Sequence, residues 1–361
     1  AQAIRLRRLA MGDALNPLRK NISCVRIALI GFGNVGQALA RLLAKPDCLR
    51  FEVKVVGIAT QSRGTVANFE GLDLKACLAT KTLHDQGTVL PDAQALLKHL
   101  AGHCDAVLEA MNASNDGQPA LDLLQQALQM EPPAHAITAS KAPVALAHKK
   151  LKALASARQR RFLFESSVMD GVPIFSLLRQ LPGVQVQRIV GVLNSTTNLV
   201  LTRMKSGCSL WDAVAFAQQE GIAERDPSDD LDGKDAALKL AVLTAVLFDE
   251  NLDPADIPAD SIRNVPPEQV QDAANRGESL KVVCEATRHR DGVKASVALQ
   301  ALPWRHPLAN LDGASAALTF ETDVMGPITV TSTDPTIMDT AYGLLQDLHV
   351  AILGDGCGLG R

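Results

Sequence analysis

Apolar and polar positions keep two alternating rhythms through the first 160 residues. "VRIALI" (25–30) is an unbroken apolar run of strand length, and "NVGQALARLLA" (34–44) then repeats its apolar residues at helical spacing. "FEVKVVGIA" (51–59) reads as a second strand. "CDAVLEAMN" (104–112) reads as another, leading into the helix "QPALDLLQQALQM" (118–130). "AHAITASKAPVA" (134–145) repeats the strand-to-helix step. Strands alternating with helices in this way predict an α/β protein with a parallel sheet. Beyond residue 160 the rhythm loosens. "RFLFESSVMDGVPIFSLLRQL" (161–181) reads as strand, loop and helix, and "QRIVGVLNSTTNLVLTRMKSG" (187–207) as strand, polar turn and a helix stopped by Gly207. A helix over "SLWDAVAFAQQEG" (209–221) follows, then an acid-rich stretch, then a helix whose apolar side is Leu238, Leu240, Val242, Leu243, Val246 and Leu247. Residues 323–348 read as a strand and a helix returning to the first domain.

Composition narrows the classes. With 361 residues, 47% of them hydrophobic, there is enough material for a large core, or for two domains. A net charge of -3 proposes neither a nucleic-acid partner nor a membrane surface. No apolar run reaches the length of a membrane span. Seven cysteines scattered singly, without metal-site spacing, fit a reduced, cytoplasmic compartment. The stretch "AQAIRLRRLAMGDALNPLRK" carries five bases against one acid. We read residues 1–20 as an extension, with Met11 a candidate start and an organelle presequence the alternative.

The strand over 25–30 runs straight into Gly31-x-Gly33-x-x-Gly36 and then a helix. In that context Gly31 allows a tight turn, Gly33 lets a pyrophosphate approach the backbone, and Gly36 lets helix and strand pack. The phosphates would lie at the helix N-terminus, against Asn34 and Val35. This is the mark of a Rossmann-type dinucleotide-binding domain, expected over 21–160 and 322–361, with an α+β substrate and dimerisation domain over 161–321. An acid closing the second strand would bind the ribose 2′-hydroxyl of NAD, but none stands between Val53 and Phe69. Ser62 and Arg63 can accept a 2′-phosphate instead, which favours NADP over NAD; the plainer alternative is that Arg63 is only a solvated loop arginine. Asn112, Ala113 and Ser114 end a strand where a parallel sheet meets its ligand, beside the nicotinamide ribose, and Lys141 faces the same crevice.

"AERDPSDDLDGKDAALK" (223–239) packs six acids and three bases into seventeen positions. Asp235 and Lys239 are four apart, so a helix puts them on one face. Taken alone the pair is an ordinary surface contact. With Glu224 and Asp230 in the approach it also suits a substrate ammonium group, with a lysine placed for proton transfer. In the NSTTN turn, Asn194, Ser195 and Thr196 stand at a helix N-terminus, where they can cap the helix, bind a carboxylate, or do both.

In this order the segments resemble homoserine dehydrogenase. The resemblance rests on Ala217-x3-Gly221-Ile222-Ala223-x2-Asp226-Pro227-x2-Asp230-Leu231-x-Gly233-x-Asp235-x3-Lys239, on "GVLNSTTNLVLTRM" and on "ITASKAP". It implies NAD(P)-linked interconversion of L-homoserine and L-aspartate 4-semialdehyde in threonine and methionine biosynthesis, by a homodimer. It also implies that Lys239 and Lys141 are the active-site lysines and that Asp235 orients the catalytic one. Glu224, Asp230, Thr196 and Asn194 are the implied substrate contacts. Carbonyls of Glu165 and Val168 are similar to those that hold a monovalent cation, Na+ or K+. Departures are Ser195 for glycine, Leu199 for an aromatic residue, Met169-Asp170-Gly171 for a Gly-rich stretch, which adds a carboxylate by the pocket, and Gly326 alone in place of a C-terminal Gly-Ala-Gly loop. A short form without kinase or amino-acid-sensing domains is expected. The alternatives are another amino-acid dehydrogenase, since GFGNVG is shared with the glutamate dehydrogenase class, and a non-catalytic nucleotide-binding homologue.

Overall fold

The computed structural model describes residues 24–45, 48–112 and 114–355; the extension expected over 1–20, and Ala113, lie outside them. Seven strands form the first sheet: β1 (Cys24–Ile30), β2 (Glu52–Thr60), β3 (Gly64–Ala67), β4 (Thr88–Leu90), β5 (Ala106–Glu109), β6 (His135–Thr138) and β7 (Phe162–Leu163). Their order is β4-β3-β2-β1-β5-β6-β7. The strands β2, β1, β5, β6 and β7 are parallel. Continuous apolar runs such as "VRIALI" form its centre because both faces are covered by helices. Ile27, Leu29, Ile58 and Leu108 pack on one side; Ala28, Ile30, Val56 and Val107 pack on the other. The strand order reverses between β1 and its neighbours β2 and β5, which opens a crevice at their carboxyl ends.

Five antiparallel strands make the second sheet, in the order β10-β9-β8-β11-β12. They are β8 (Val186–Val192), β9 (Glu278–His289), β10 (Gly292–Pro303), β11 (Ala316–Thr322) and β12 (Ile328–Ser332). The helices Lys141–Ala157 and Lys234–Leu243 pack in one apolar cluster with this sheet, through Val144, Leu151, Leu240, Leu243, Val282 and Phe320. The same cluster reaches Leu124 and Ala136 of the nucleotide-type layer, so the core is continuous between the two sheets.

Two boundaries differ from the sequence reading. The first sheet continues through β7 to Leu163, past the division expected at 160. The strand expected to return to the first domain within 323–348 instead pairs with β11, Leu318 opposite Val330 and Phe320 opposite Ile328. The Thr319 and Thr329 hydroxyls meet at 2.9 Å across this hairpin. Alternation gives a strand its two faces but not its sheet, and a short hairpin connection wins over a long crossover. Only the helix Ile337–Leu353 returns, opened by a Thr336/Asp339 capping box. Its Leu344, Leu345 and Leu348 join the core beneath β1.

Candidate active site

The glycine loop shows why each glycine stands where it does. Gly31 has φ +95°, and a Cβ there would lie 2.4 Å from the Ala110 carbonyl oxygen. A Cβ on Gly36 would lie 2.2 Å from the Gly31 oxygen. Around Gly33 there is nothing within 4 Å. Gly33 and Asn34 are exposed, and the helix Asn34–Leu43 begins without a side-chain cap. Its first N–H groups therefore point from a helix N-terminus into open space, as the phosphates of a dinucleotide require. These residues fit the group that the motif implies. Gly33→Val should leave the melting temperature nearly unchanged while raising the KM for cofactor at least tenfold. Gly36→Ala should instead destabilise the fold by about 1–3 kcal/mol through backbone overlap. Thermal melts and cofactor titrations of the two variants check the contrast; equal melting losses would refute it.

Arg63, in the turn after β2, is part-buried rather than solvated. Its Nη2 donates to the carbonyls of Cys77 and Thr80, closing the C-terminal end of the helix Leu74–Ala79. Its guanidinium lies over the Phe32 ring, 5.1 Å from the centroid, inside the glycine loop itself. Asn112 and Ser114 are both exposed just beyond β5, and the Ser114 hydroxyl is engaged with Asp116 and with the Gln118 carbonyl. These are local turn bonds.

The charged groups meet at Asp235. Lys141 opens the helix Lys141–Ala157 directly after β6, and its Nζ stands 3.1 Å from Asp235 Oδ1. Lys239, one turn after Asp235 in the helix Lys234–Leu243, stands 3.2 Å from Oδ2. Its Nζ also donates to the Leu193 carbonyl at 2.7 Å. Side-chain exposure is 17% for both Asp235 and Lys239, so this i,i+4 pair is enclosed and not a surface contact. Gly233, at φ +73°, starts that helix where a Cβ would crowd Ala259 and Asp260 at 3.1 Å.

Asn194 joins the second sheet to this centre. Its Oδ1 accepts the Thr197 N–H at 2.8 Å, capping the helix Ser195–Met204. Its Nδ2 donates to Asp230 Oδ1 at 2.6 Å and to Asp235 Oδ2 at 2.9 Å. The amide thus does cap a helix and does hold carboxylates, but these are the protein's own. Thr196, 4% exposed, reaches the Ile222 carbonyl at 3.5 Å. Glu224 remains exposed on the loop, with its backbone carbonyl bound by Gln218. The other acids of the stretch serve the chain: Asp232 binds Arg263 and Ser261, and Asp226 binds Ser228.

Burial alone would raise the Asp235 pKa, but the ammonium groups of Lys141 and Lys239 overcome it and hold the carboxyl well below its ordinary range. Burial pulls Lys239 down, and Asp235, Asp170 and Asp230 together reverse this, so its ammonium is held above the ordinary value. Asp230 is pushed up, first by burial and then by Asp235. Asp170 was visible in sequence as an added carboxylate; here it has φ +54° and accepts the Thr340 hydroxyl at 2.8 Å. Glu165 is buried with its carboxylate committed to the Phe175 and Ser176 N–H groups and to Arg179. A cation there would rest on backbone carbonyls alone, and no cluster of three His, Cys, Asp or Glu suits a metal among the described residues. Sequence reasoning missed the Leu193 carbonyl, Glu109, Thr138 and Ser140. The one signal available was their place at the carboxyl ends of strands.

A dinucleotide loop at the carboxyl end of a parallel sheet, with two lysines sharing one aspartate and the first of them directly after β6 of that sheet, is the arrangement of a dehydrogenase-type site. A family profile described as homoserine dehydrogenase matches residues 173–349. The NAD(+)-dependent homoserine dehydrogenase of Pseudomonas canavaninivorans is 35% identical over 90% of this chain and 95% of its own length. The homoserine dehydrogenase of Sulfurisphaera tokodaii is 30% identical over 90% and 97%. Among solved structures, a hyperthermophilic archaeal homoserine dehydrogenase in complex with NADPH superposes with TM-score 0.77 at 28% identity, covering 91% of this chain and 97% of that one. The Thermoplasma acidophilum homoserine dehydrogenase superposes with TM-score 0.76 at 26% identity, covering 90% and 98%. The chain belongs to the homoserine dehydrogenase family, a family of oxidoreductases.

Proposed function

We propose that this protein interconverts L-homoserine and L-aspartate 4-semialdehyde with NADP or NAD. The observation that carries the reading is Asp235 held between Lys141 and Lys239 at the edge of the nucleotide crevice. A dinucleotide held at Gly31, Gly33 and the N-terminus of the helix Asn34–Leu43 would supply hydride chemistry at the carbonyl carbon. Lys239, kept as an ammonium by its three carboxylate neighbours, polarises the carbonyl oxygen as negative charge develops there. Lys141, on the nucleotide side of Asp235 and more exposed, is placed to return a proton to that oxygen from solvent. Asp230, facing the same space with Asn194, and Glu224 on its loop supply anionic contacts for the α-ammonium group. A reductive role places the enzyme in aspartate-derived threonine and methionine synthesis, in the cytoplasm.

NADP is the preferred cofactor in this reading. β2 ends at Thr60 without an acid, and Arg63 is fixed beside the glycine loop. A homodimer would cover the part-exposed face of the second sheet, where Arg188 pairs with Glu285 at 2.8 Å and Glu321 at 2.6 Å; light scattering should return twice the chain mass. Na+ or K+ would bind through the carbonyls of Glu165 and Val168, and turnover in choline against potassium buffer tests it. The central assay follows NADPH and NADH absorbance with aspartate 4-semialdehyde, then with 2-oxoglutarate and ammonia. Turnover of the semialdehyde, with the higher kcat/KM for NADPH, is expected. Turnover only of the 2-oxo acid would favour an amino-acid deaminating dehydrogenase, and no turnover at all a non-catalytic homologue.

A further inference from the structure

Glu109 ends β5 with 0% exposure, at the crevice where the nucleotide-type layer meets the substrate layer. Among the described residues no charged partner accounts for it. Its Oε1 accepts the Met111 N–H at 2.7 Å and the Ser140 hydroxyl at 3.0 Å, and its Oε2 accepts the Thr138 hydroxyl. Thr138 Oγ1 in turn accepts the Ser140 N–H at 2.9 Å. The Ser140 hydroxyl also lies 3.2 Å from the Met111 carbonyl. Ser140 is the residue that precedes the helix Lys141–Ala157, a position where a serine ordinarily caps the helix. Here it makes no side-chain cap bond, because its hydroxyl is turned to Glu109.

The strap touches both halves of the reaction centre. On one side the Ala110–Met111 backbone is what the bare Cα of Gly31 packs against: a Cβ on Gly31 would meet Ala110 O at 2.4 Å and Met111 N at 2.9 Å. On the other side Ser140 is followed at once by Lys141, whose ammonium holds Asp235. We propose that Glu109 is a positioning residue which, through Met111, Thr138 and Ser140, sets the distance between the dinucleotide loop and Lys141. Burial raises the carboxyl pKa of Glu109, and the hydrogen bonds from Thr138, Met111 and Ser140 oppose that rise. A buried acid with so many donors is costly unless all of them stay in place, so the strap is rigid.

The inference rests on the proposed dehydrogenase reaction, and its test is arranged to fail separately. Glu109→Gln keeps the shape but offers one acceptor oxygen where three donors converge. With NADPH and aspartate 4-semialdehyde, its kcat is expected to fall by about 10- to 100-fold, the cost of a misplacement near 1 Å. The KM for the semialdehyde should change less than about threefold, since no substrate contact is lost. The primary isotope effect on kcat with 4-deuterated NADPH should rise, because hydride transfer becomes slower than the steps around it. Ser140→Ala removes one of the three donors to a buried carboxylate, so it should lower the melting temperature modestly, reproduce part of the kcat loss, and add little to Glu109→Gln in the double variant. Should Glu109→Gln fail to fold, Ser140→Ala alone decides. Wild-type kcat and isotope effect in either folded variant, or strictly additive losses, overturn the proposal while leaving the reaction assigned. Wild-type protein that turns over no semialdehyde overturns both.

Discussion

Lys239→Ala is expected to lower kcat/KM for the semialdehyde by on the order of a thousandfold while cofactor affinity stays within about twofold of wild type. The expectation follows from where the ammonium sits. It bridges Asp235 Oδ2 and the Leu193 carbonyl, in the substrate layer, whereas the glycine loop belongs to β1 and the helix after it. Removing it takes away the cation on which negative oxygen can build, and leaves Asp235 and Asp230 with less to neutralise them. Lys239→Arg should not rescue the rate, because a planar guanidinium cannot replace an ammonium shared between two acceptors in this enclosure. Because the Lys239 ammonium is held above its ordinary value, it stays charged across neutral pH. Its contribution to stability is complete below the ordinary lysine pKa of about 10.4 and is lost as pH rises through the folded value. The wild-type rate should therefore show no alkaline fall from this group below about pH 10. Steady-state rates with cofactor titration monitored by fluorescence measure both quantities. If Lys239→Ala kept a tenth of the wild-type rate while Lys141→Ala lost all of it, the two lysines would exchange roles.

How much of this was readable in the chain depends on the range of the contact. The Gly31, Gly33 and Gly36 register and the Asp235–Lys239 spacing are local, and periodicity alone puts each on a turn or a helix face. That the pair is enclosed, not superficial, is a tertiary fact: it needs Lys141, which comes from a different layer of the fold. Glu109 was passed over for a similar reason, since its partners Thr138 and Ser140 lie one strand further on. "ITVTS" was rightly seen as a strand and wrongly given a sheet, because its Ile/Val face fits either layer. Arg63 was identified as a phosphate candidate by what the second strand lacks. Its stacking on Phe32 and its hold on two helix-end carbonyls were invisible, because they depend on where the helix Leu74–Ala79 docks. Asn194 shows the reverse case. Two roles seemed open for one polar turn; the amide oxygen fills the first by capping the helix, while the nitrogen is given to the protein's own Asp230 and Asp235.

Asp235→Asn should be the most damaging single exchange for stability and activity together. Among the described residues Asp235 is the only anion paired with both Lys141 and Lys239, and it accepts the Asn194 amide as well. An amide at that position leaves two ammonium groups facing each other across a neutral side chain, and it can present only one acceptor to three donors. Taking one partner out of an enclosed ion pair typically costs about 3–5 kcal/mol. The pH dependence gives a sharper signature. The folded Asp235 carboxyl lies below its ordinary value, so the stability it lends is fully present above about pH 4 and drains away as pH falls further. Acid titration of wild-type stability should therefore slope downward below pH 4, and Asp235→Asn should lose that part of the slope. At the alkaline end the sign reverses. Lys239 loses the first of the carboxylates that hold its pKa up, Asp170 and Asp230 remain, and burial pulls the ammonium down. Residual activity of Asp235→Asn should accordingly fall off at lower pH than that of wild type. A variant that melts like wild type, with an unmoved alkaline limb, would show that Asp235 is not the hinge between the two lysines.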